Sequence, residues 1–215
     1  KEQLLFQNIL NSSNFFKLDF GMNTLENYEI FFLTYIYSIA GYSAIDISST
    51  PEMAAKIKDC IKKAQIKAAE LSIRIPFEPF LIISINETFF TSHHDLDIKS
   101  LLSEYLENGA DSIELHLENY EVEAILSNLK DINSVFSSNI FSLNVSRKKS
   151  SNANIVDLIK KSRDIFKDRL IVEVDGLDES KSDESFNSTL QAISTADIIN
   201  KELISKDRKF KRLKM

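Results

Sequence analysis

Six short segments of this chain alternate polar and apolar residues with a period of two, and this pattern limits the possible folds more than any other feature. Successive side chains of a β-strand point to opposite faces, so each segment predicts a strand with one polar and one apolar face. A strand buried on both faces of an open parallel sheet would instead be apolar throughout. The predicted strands cover residues 15–20, 44–48, 80–85, 112–117, 140–145 and 170–174.

Stretches with the apolar spacing of amphipathic helices separate these strands. Gly41 and Gly109 follow two of them, as glycine commonly follows the C-terminus of a helix. Thr50 and Pro51 begin another helix, with threonine as the cap and proline in the first turn. Strands that alternate with helices in this way predict parallel strands joined by right-handed crossovers. The predicted helices cover residues 1–10, 25–39, 51–71, 97–108, 121–131, 154–166 and 185–203.

The polar strand faces favour a barrel over an open, flavodoxin-like sheet. Helices on both faces of an open sheet would bury rows of charged side chains, each unpaired ion at a cost of several kcal/mol. A barrel avoids this cost because its interior opens near the C-terminal ends of the strands, where ligands bind. We therefore expect an α/β protein with a (β/α) TIM-barrel-like fold, incomplete or open, with about six parallel strand–helix units. This single domain covers residues 1–200, and a basic tail covers 201–215.

Acidic residues and one histidine lie on the polar faces, mostly near the ends of the strands. Two of the acids, Asp46 and Glu114, each follow a helix-ending glycine by five residues, which is a weak internal repeat. Converging acids with a histidine suit general acid–base catalysis or a divalent cation. The alternative is internal pairing with Lys17 and with strand serines and asparagines, which would leave a polar but inert barrel. The candidate ligand site at the barrel mouth comprises Asp19, Asp46, Glu114, His116, Glu173 and Asp175.

Other candidates for chemistry are few. The side chains of His93, His94 and Asp95 could bind a metal ion, although adjacent histidines usually point apart. Lys17 could form a Schiff base only if it were desolvated. Cys60 has the helical spacing of a small buried hydrophobe, and a single cysteine excludes an intrachain disulfide or a multi-cysteine cluster. We therefore expect no cofactor.

Charge is distributed unevenly along the chain. The formal net charge is −6, which disfavours general binding to nucleic acid. No apolar run is long enough to span a membrane, and no signal-peptide pattern is present, so we expect a cytoplasmic protein. The tail after residue 200 is basic, with seven lysines and arginines against two acids, and could dock on another subunit or contact an anionic membrane surface. The candidate docking residues are Lys209, Phe210, Lys211, Arg212 and Leu213.

Several of these motifs resemble those of the LdpA family, the cyanobacterial light-dependent period proteins. The opening FKLDFGMN resembles that family's Phe-Lys-Leu-x-Cys-Gly-Ala-Ser, and GADSIELH resembles its Gly-Val-Asp-Ala-x-Glu-Ile-His. The similar segments are 16–23, 37–51, 80–85, 109–116 and 174–176.

The resemblance implies a member of that family without its iron–sulfur cysteines. The family's first cysteine corresponds to Phe20, and residues 86–95 contain no cysteine. It implies a non-catalytic scaffold or regulatory subunit that binds partner proteins in a photosynthetic, redox or clock-linked assembly, in a cyanobacterial cytoplasm or plastid stroma. We expect no iron–sulfur cluster. The alternative is a small-molecule barrel enzyme that uses the acids at the strand C-termini, with or without a divalent metal.

Overall fold

The computed structural model describes residues 16–20, 26–75, 77–92, 97–117, 121–146, 152–175 and 193–201. Strands and helices alternate along these residues, as the sequence predicts. The strands are β1 (Lys17–Asp19), β2 (Ala44–Ile47), β3 (Phe80–Asn86), β4 (Ser112–Leu117), β5 (Ile140–Ser146) and β6 (Leu170–Asp175). The helices are α1 (Asn27–Ile39), α2 (Pro51–Glu70), α3 (Thr88–Ser92), α4 (Ile98–Glu107), α5 (Val122–Val135), α6 (Asn152–Phe166) and α7 (193–201).

The six strands form one parallel sheet whose spatial order is the order of the chain, β1 to β6. In a flat sheet the two edge strands would lie about 24 Å apart, at about 4.8 Å for each strand spacing. Here Lys17 on β1 and Glu173 on β6 are in contact, with 2.9 Å between Nζ and Oε2. The sheet is therefore strongly curled, and we call it the half-barrel.

The two faces of the half-barrel differ in chemistry, and this confirms the predicted barrel-like α/β fold. The apolar members of the four central strands, such as Ile45, Ile83 and Leu115, are buried in a core that they share with the helices, and those of the edge strands, such as Leu18 and Val172, pack partly buried against it. The strand residues that alternate with these apolar ones, including Asp46 and Glu114, point into the concave side of the sheet. Burial of the apolar set beneath the helices supplies the main stabilisation of the fold.

Local signals account for most of the element boundaries. Thr50 accepts a hydrogen bond from the Met53 backbone and caps α2, while Asp97 caps α4 through Lys99. The short helix α3 is not predicted from the sequence, and it begins where Asn86 Oδ1 accepts hydrogen bonds from the backbone of the next turn.

A glycine followed by an aspartate sets the start of β4. Gly109 has φ +94°, a left-handed conformation that favours glycine. Two residues later, Asp111 accepts hydrogen bonds from Lys58 Nζ at 2.7 Å and from the Leu81 backbone at 2.8 Å. These contacts join α2, β3 and β4, so the Gly-Ala-Asp motif has a structural role in the half-barrel.

No helix in the described ranges is both long and apolar enough to cross a bilayer. Several sequence predictions concern residues outside those ranges: the helix over 1–10, the metal candidates His93, His94 and Asp95, and the tail with its docking residues 209–213. They stay predictions.

Candidate active site

The ammonium group of Lys17 lies at the centre of a cluster of carboxylates on the concave side of the half-barrel. Its Nζ donates to Asp46 Oδ2 at 3.1 Å, to Glu114 Oε2 at 2.9 Å and to both oxygens of Glu173 at 2.9–3.0 Å. These four residues, here called the Lys17 cluster, come from β1, β2, β4 and β6. Each proton of the ammonium group therefore has a carboxylate acceptor.

The strand alternation explains why these side chains meet. In each strand the cluster residue lies on the face opposite to the core residues, so the curl of the sheet directs all four side chains toward one space. Asp46 and Glu114 occupy equivalent places in the repeat, five residues after Gly41 and Gly109. Both glycines have positive φ, so the two helix-to-strand connections place their acids in the same way.

A second set of polar groups surrounds the Lys17 cluster. Ser84 donates a hydrogen bond to Asp46, and Ser142 donates to Glu173 Oε1 at 3.3 Å. His116 Nε2 lies 2.9 Å from Glu114 Oε1. An ionised carboxylate can only accept a hydrogen bond, so this contact is favourable when the imidazole nitrogen carries a proton.

Exposure separates the supporting groups from those that a ligand can reach. The side chains of Asp46 and Glu114 are fully buried, and that of Lys17 is 15% exposed. By contrast, the side chain of Glu173 is 33% exposed and that of His116 is 23% exposed. A molecule bound at the mouth, where the strands have their C-terminal ends, would therefore contact Glu173, His116 and the exposed Asp19 before Asp46 or Glu114.

Burial and mutual charge shift the pKa values of the cluster in different directions. For Asp46, burial and the charge of Glu114 raise the pKa to about 7, against the opposing effect of Lys17. The pKa of Glu173 is also raised, by burial and by Glu114. Burial alone would raise the pKa of Glu114, but the hydrogen bond from His116 and the charge of Lys17 lower it below its usual value.

Lys17 remains a cation in this environment. Burial alone would lower its pKa, but the charges of Glu114, Asp46 and Glu173 outweigh burial and raise it. A Schiff base requires a neutral amine, so these contacts argue against the nucleophilic role that the sequence left open for Lys17.

Asp46, Glu114 and His116 could also hold a metal ion, since ligand atoms of the three lie within 4.8 Å of one another. The ammonium of Lys17 already contacts the two carboxylates. A divalent ion about 4 Å from it would be repelled by about 8 kcal/mol at an effective dielectric constant of about 20. A divalent ion would therefore have to compete with the protonated Lys17 for these carboxylates.

The structure brings most of the predicted mouth residues together. Asp46, Glu114 and Glu173 contact Lys17, and His116 contacts Glu114. Asp19 pairs in register with Asp46, and its charge contributes to the raised pKa of that residue. Residue 175 ends β6, but its side chain is outside the described part.

The sequence interpretation did not include Lys17, Ser84, Ser142 or Asn144 among the site residues. The alternation of polar and apolar residues was the available signal for them, because it places each on the polar face of its strand. The predicted internal pairing with Lys17 does occur. Pairing does not bury the whole site, however, because Glu173 and His116 keep exposed surface.

Comparison with known proteins places the fold among aldolases and lyases. A candidate deoxyribose-phosphate aldolase from Toxoplasma gondii is 14% identical with a TM-score of 0.61, and the match covers 97% of this chain and 74% of that one. The aldolase QR15 is 12% identical with a TM-score of 0.51, over 86% and 76% of the two chains. A candidate lyase or mutase from Burkholderia cenocepacia is 10% identical with a TM-score of 0.52, over 88% and 69%. No family model matches the chain, and no curated protein matches it significantly.

The proposed membership of the LdpA family is therefore wrong, because the structures that match most of the chain are aldolases and lyases. Gly109 and Asp111 account for the motif in structural terms, since the glycine has a positive φ and the aspartate accepts a hydrogen bond from the Leu81 backbone at the start of β4.

The regulatory scaffold inferred from that family is also wrong, along with its cyanobacterial, redox and clock associations. The comparisons favour the alternative, a small-molecule barrel enzyme. The chain has the (β/α) TIM-barrel-like fold of these aldolases, seen here as a half-barrel of six parallel strands.

Proposed function

We propose that this protein is an enzyme that moves a proton on a carbon atom next to the carbonyl group of a small hydroxylated molecule. The observation that carries the proposal is the Lys17 cluster: acids from three strands converge on one cation, and the most exposed of them, Glu173, has a raised pKa. A raised carboxyl pKa brings a base closer to the neutral pH at which proton transfer is most efficient.

In the proposed step the carboxylate of Glu173 takes the proton from carbon. The electron pair of the broken C–H bond moves to the carbonyl oxygen and forms an enolate. Lys17 lies 2.9 Å from Glu173 and supplies a fixed positive charge beside the developing negative charge. Glu114 holds His116 by a contact of 2.9 Å, which fixes the position of the imidazole at the mouth.

The fold supports this reaction class. Several matched structures are described as aldolases, and one as a lyase or mutase. Making or breaking a carbon–carbon bond beside a carbonyl passes through the same enolate-type state. We propose no metal ion for the step, because the protonated Lys17 occupies the cation position.

Proton exchange in heavy water tests the proposal directly. The protein is incubated in D₂O with glycolaldehyde, dihydroxyacetone and hydroxyacetone, and proton NMR follows loss of the C–H signals next to the carbonyl. We expect exchange above the buffer rate with at least one compound. Glu173→Gln keeps the shape of the side chain but removes the base, and should slow exchange by about 10²–10⁴-fold.

Glu123→Gln is the matched control, because Glu123 forms an exposed ion pair with Lys161 on the outer helices. This variant should exchange at the wild-type rate. Absence of exchange with every compound, or an unchanged rate in Glu173→Gln, would refute the proposed function.

A further inference from the structure

A buried amide lies beside the Lys17 cluster without a complete set of partners. Asn144 is 6% exposed, and its Oδ1 has no hydrogen-bond partner among the described residues. Buried polar atoms without partners are uncommon in native proteins because each carries a desolvation cost of about 1–3 kcal/mol. Such an atom in an enzyme site points to a group that arrives with the ligand.

The position of Asn144 defines where that group would bind. In the sheet Asn144 pairs in register with His116 on β4 and with Glu173 on β6. It has the same parity as Ser142, whose hydroxyl contacts Glu173. Asn144 therefore lies on the concave face between His116 and Glu173, two groups of the site that keep exposed surface.

The charges of the site narrow the chemistry of the ligand. Glu173 and Asn144 Oδ1 are neighbouring hydrogen-bond acceptors, so a ligand that satisfies both must bring two donors. The Lys17 cluster contains three carboxylates and one ammonium, and Asp19 adds a further negative charge. This surplus repels a phosphate or carboxylate group at this position but accepts hydroxyl groups.

We propose that Asn144 and Glu173 together bind two hydroxyl groups on neighbouring carbon atoms of a ligand, and that the part of the ligand held there is uncharged. The inference rests on the proposed function, because it assigns the substrate contacts of the same site. It makes Asn144 a specificity residue: the amide selects a hydroxyl group at one carbon and rejects an anionic group there.

A binding experiment that requires no turnover tests this inference. The probes are meso-erythritol, an uncharged vicinal polyol, and inorganic phosphate, each titrated into ¹⁵N-labelled protein. Erythritol should shift the side-chain amide signals of Asn144, while phosphate at the same concentrations should leave them in place. Asn144→Leu should weaken erythritol binding about tenfold, the loss expected for one hydrogen bond.

The stability of the free variant provides a second readout. If Oδ1 is unpartnered without ligand, Asn144→Leu removes a desolvation cost and should melt no lower than the wild type. Asn139→Leu is the matched control: Asn139 donates to the Asp111 backbone at 3.0 Å, so its loss should lower the melting temperature and leave erythritol affinity unchanged.

Three results would overturn the inference: Asn144 amide signals that do not move with erythritol, signals that move with phosphate, or an Asn144→Leu variant with unchanged erythritol affinity. Failure here is distinguishable from failure of the proposed function. Exchange in D₂O that depends on Glu173 while erythritol does not bind would leave the enzyme intact and refute only the hydroxyl assignment.

Discussion

Replacement of Lys17 by methionine is the perturbation that the structure makes most consequential. Methionine preserves much of the side-chain volume and removes the charge. The change leaves Asp46, Glu114 and Glu173 around a site that no longer contains a cation. Asp46 and Glu114 are fully buried, so water cannot replace the lost interactions.

Two estimates give the size of the effect. Removing one partner of a buried ion pair typically costs about 3–5 kcal/mol. Two carboxylates about 5 Å apart repel by about 3 kcal/mol at an effective dielectric constant of about 20, which is a cost of the same size. We therefore expect Lys17→Met to lower the free energy of unfolding by about 3–5 kcal/mol at pH 7.5, with part of the cost relieved by proton uptake.

That relief gives the prediction a pH signature. Without Lys17 the pKa values of Asp46 and Glu173, which are already raised in the folded protein, rise further, and Glu114 loses one of the charges that lower its pKa. The folded variant therefore binds more protons than the unfolded chain. The stability of the variant should then fall as pH rises above about 4, by up to about 1.4 kcal/mol per pH unit for each proton bound on folding. The deficit relative to wild type should shrink toward pH 5.

Urea denaturation followed by circular dichroism at pH 5 and pH 7.5 measures both effects. Lys161→Met is the matched control, because Lys161 forms its two ion pairs on the exposed outer helices and its loss should change little. A Lys17→Met variant as stable as the wild type at pH 7.5, or a deficit that grows toward pH 5, would refute the reasoning.

Three further predictions follow from the same contacts. Lys17→Met should bind Mn²⁺ in isothermal titration while the wild type does not, because the variant lacks the ammonium group that repels the ion. No binding by the variant would contradict this prediction. Gly109→Ala should lower the free energy of unfolding, measured by urea denaturation, by about 1–3 kcal/mol, and by more than Gly41→Ala does. Both glycines have positive φ, but only a Cβ at residue 109 would lie 2.9 Å from the Lys58 side chain, so equal losses would contradict the prediction. A ¹³C NMR titration should give Asp46 a pKa of about 7, which Glu114→Gln should lower, because burial and the charge of Glu114 raise it. An unchanged pKa in that variant would refute the assignment.

The sequence was sufficient to predict the fold because its strongest signal is local. Alternation along each strand identifies which residues face the helices and which face the interior, and Asp46 and Glu114 were assigned to the interior on that basis alone. Glycine and cap residues identified helix ends, since Gly41, Gly109 and Thr50 act through their own backbone or the adjacent turn.

The sequence offered internal pairing with Lys17 only as an alternative, and the geometry at the centre of the site could not be predicted in the same way. The role of Lys17 depends on contact between the first and last strands, and that contact depends on the curl of the whole sheet. The absence of a hydrogen-bond partner for Asn144 Oδ1 among the described residues is likewise a property of packing. The alternation along β5 predicts which face of the sheet Asn144 lies on, but not which groups surround its amide. The family assignment failed for a different reason: the motif around Gly109 and Asp111 has a structural role at the start of β4, and such a short motif does not identify a family.

A double-mutant cycle between Lys17 and Glu173 tests the central claim most directly, because these residues belong to the two edge strands of the sheet. The unfolding free energies of wild type, Lys17→Met, Glu173→Gln and the double variant give the coupling between the two side chains. A contact of 2.9 Å across the curled sheet predicts a coupling of about 1–3 kcal/mol. A coupling below about 0.3 kcal/mol would contradict the account, because additive effects are the mark of residues that do not meet.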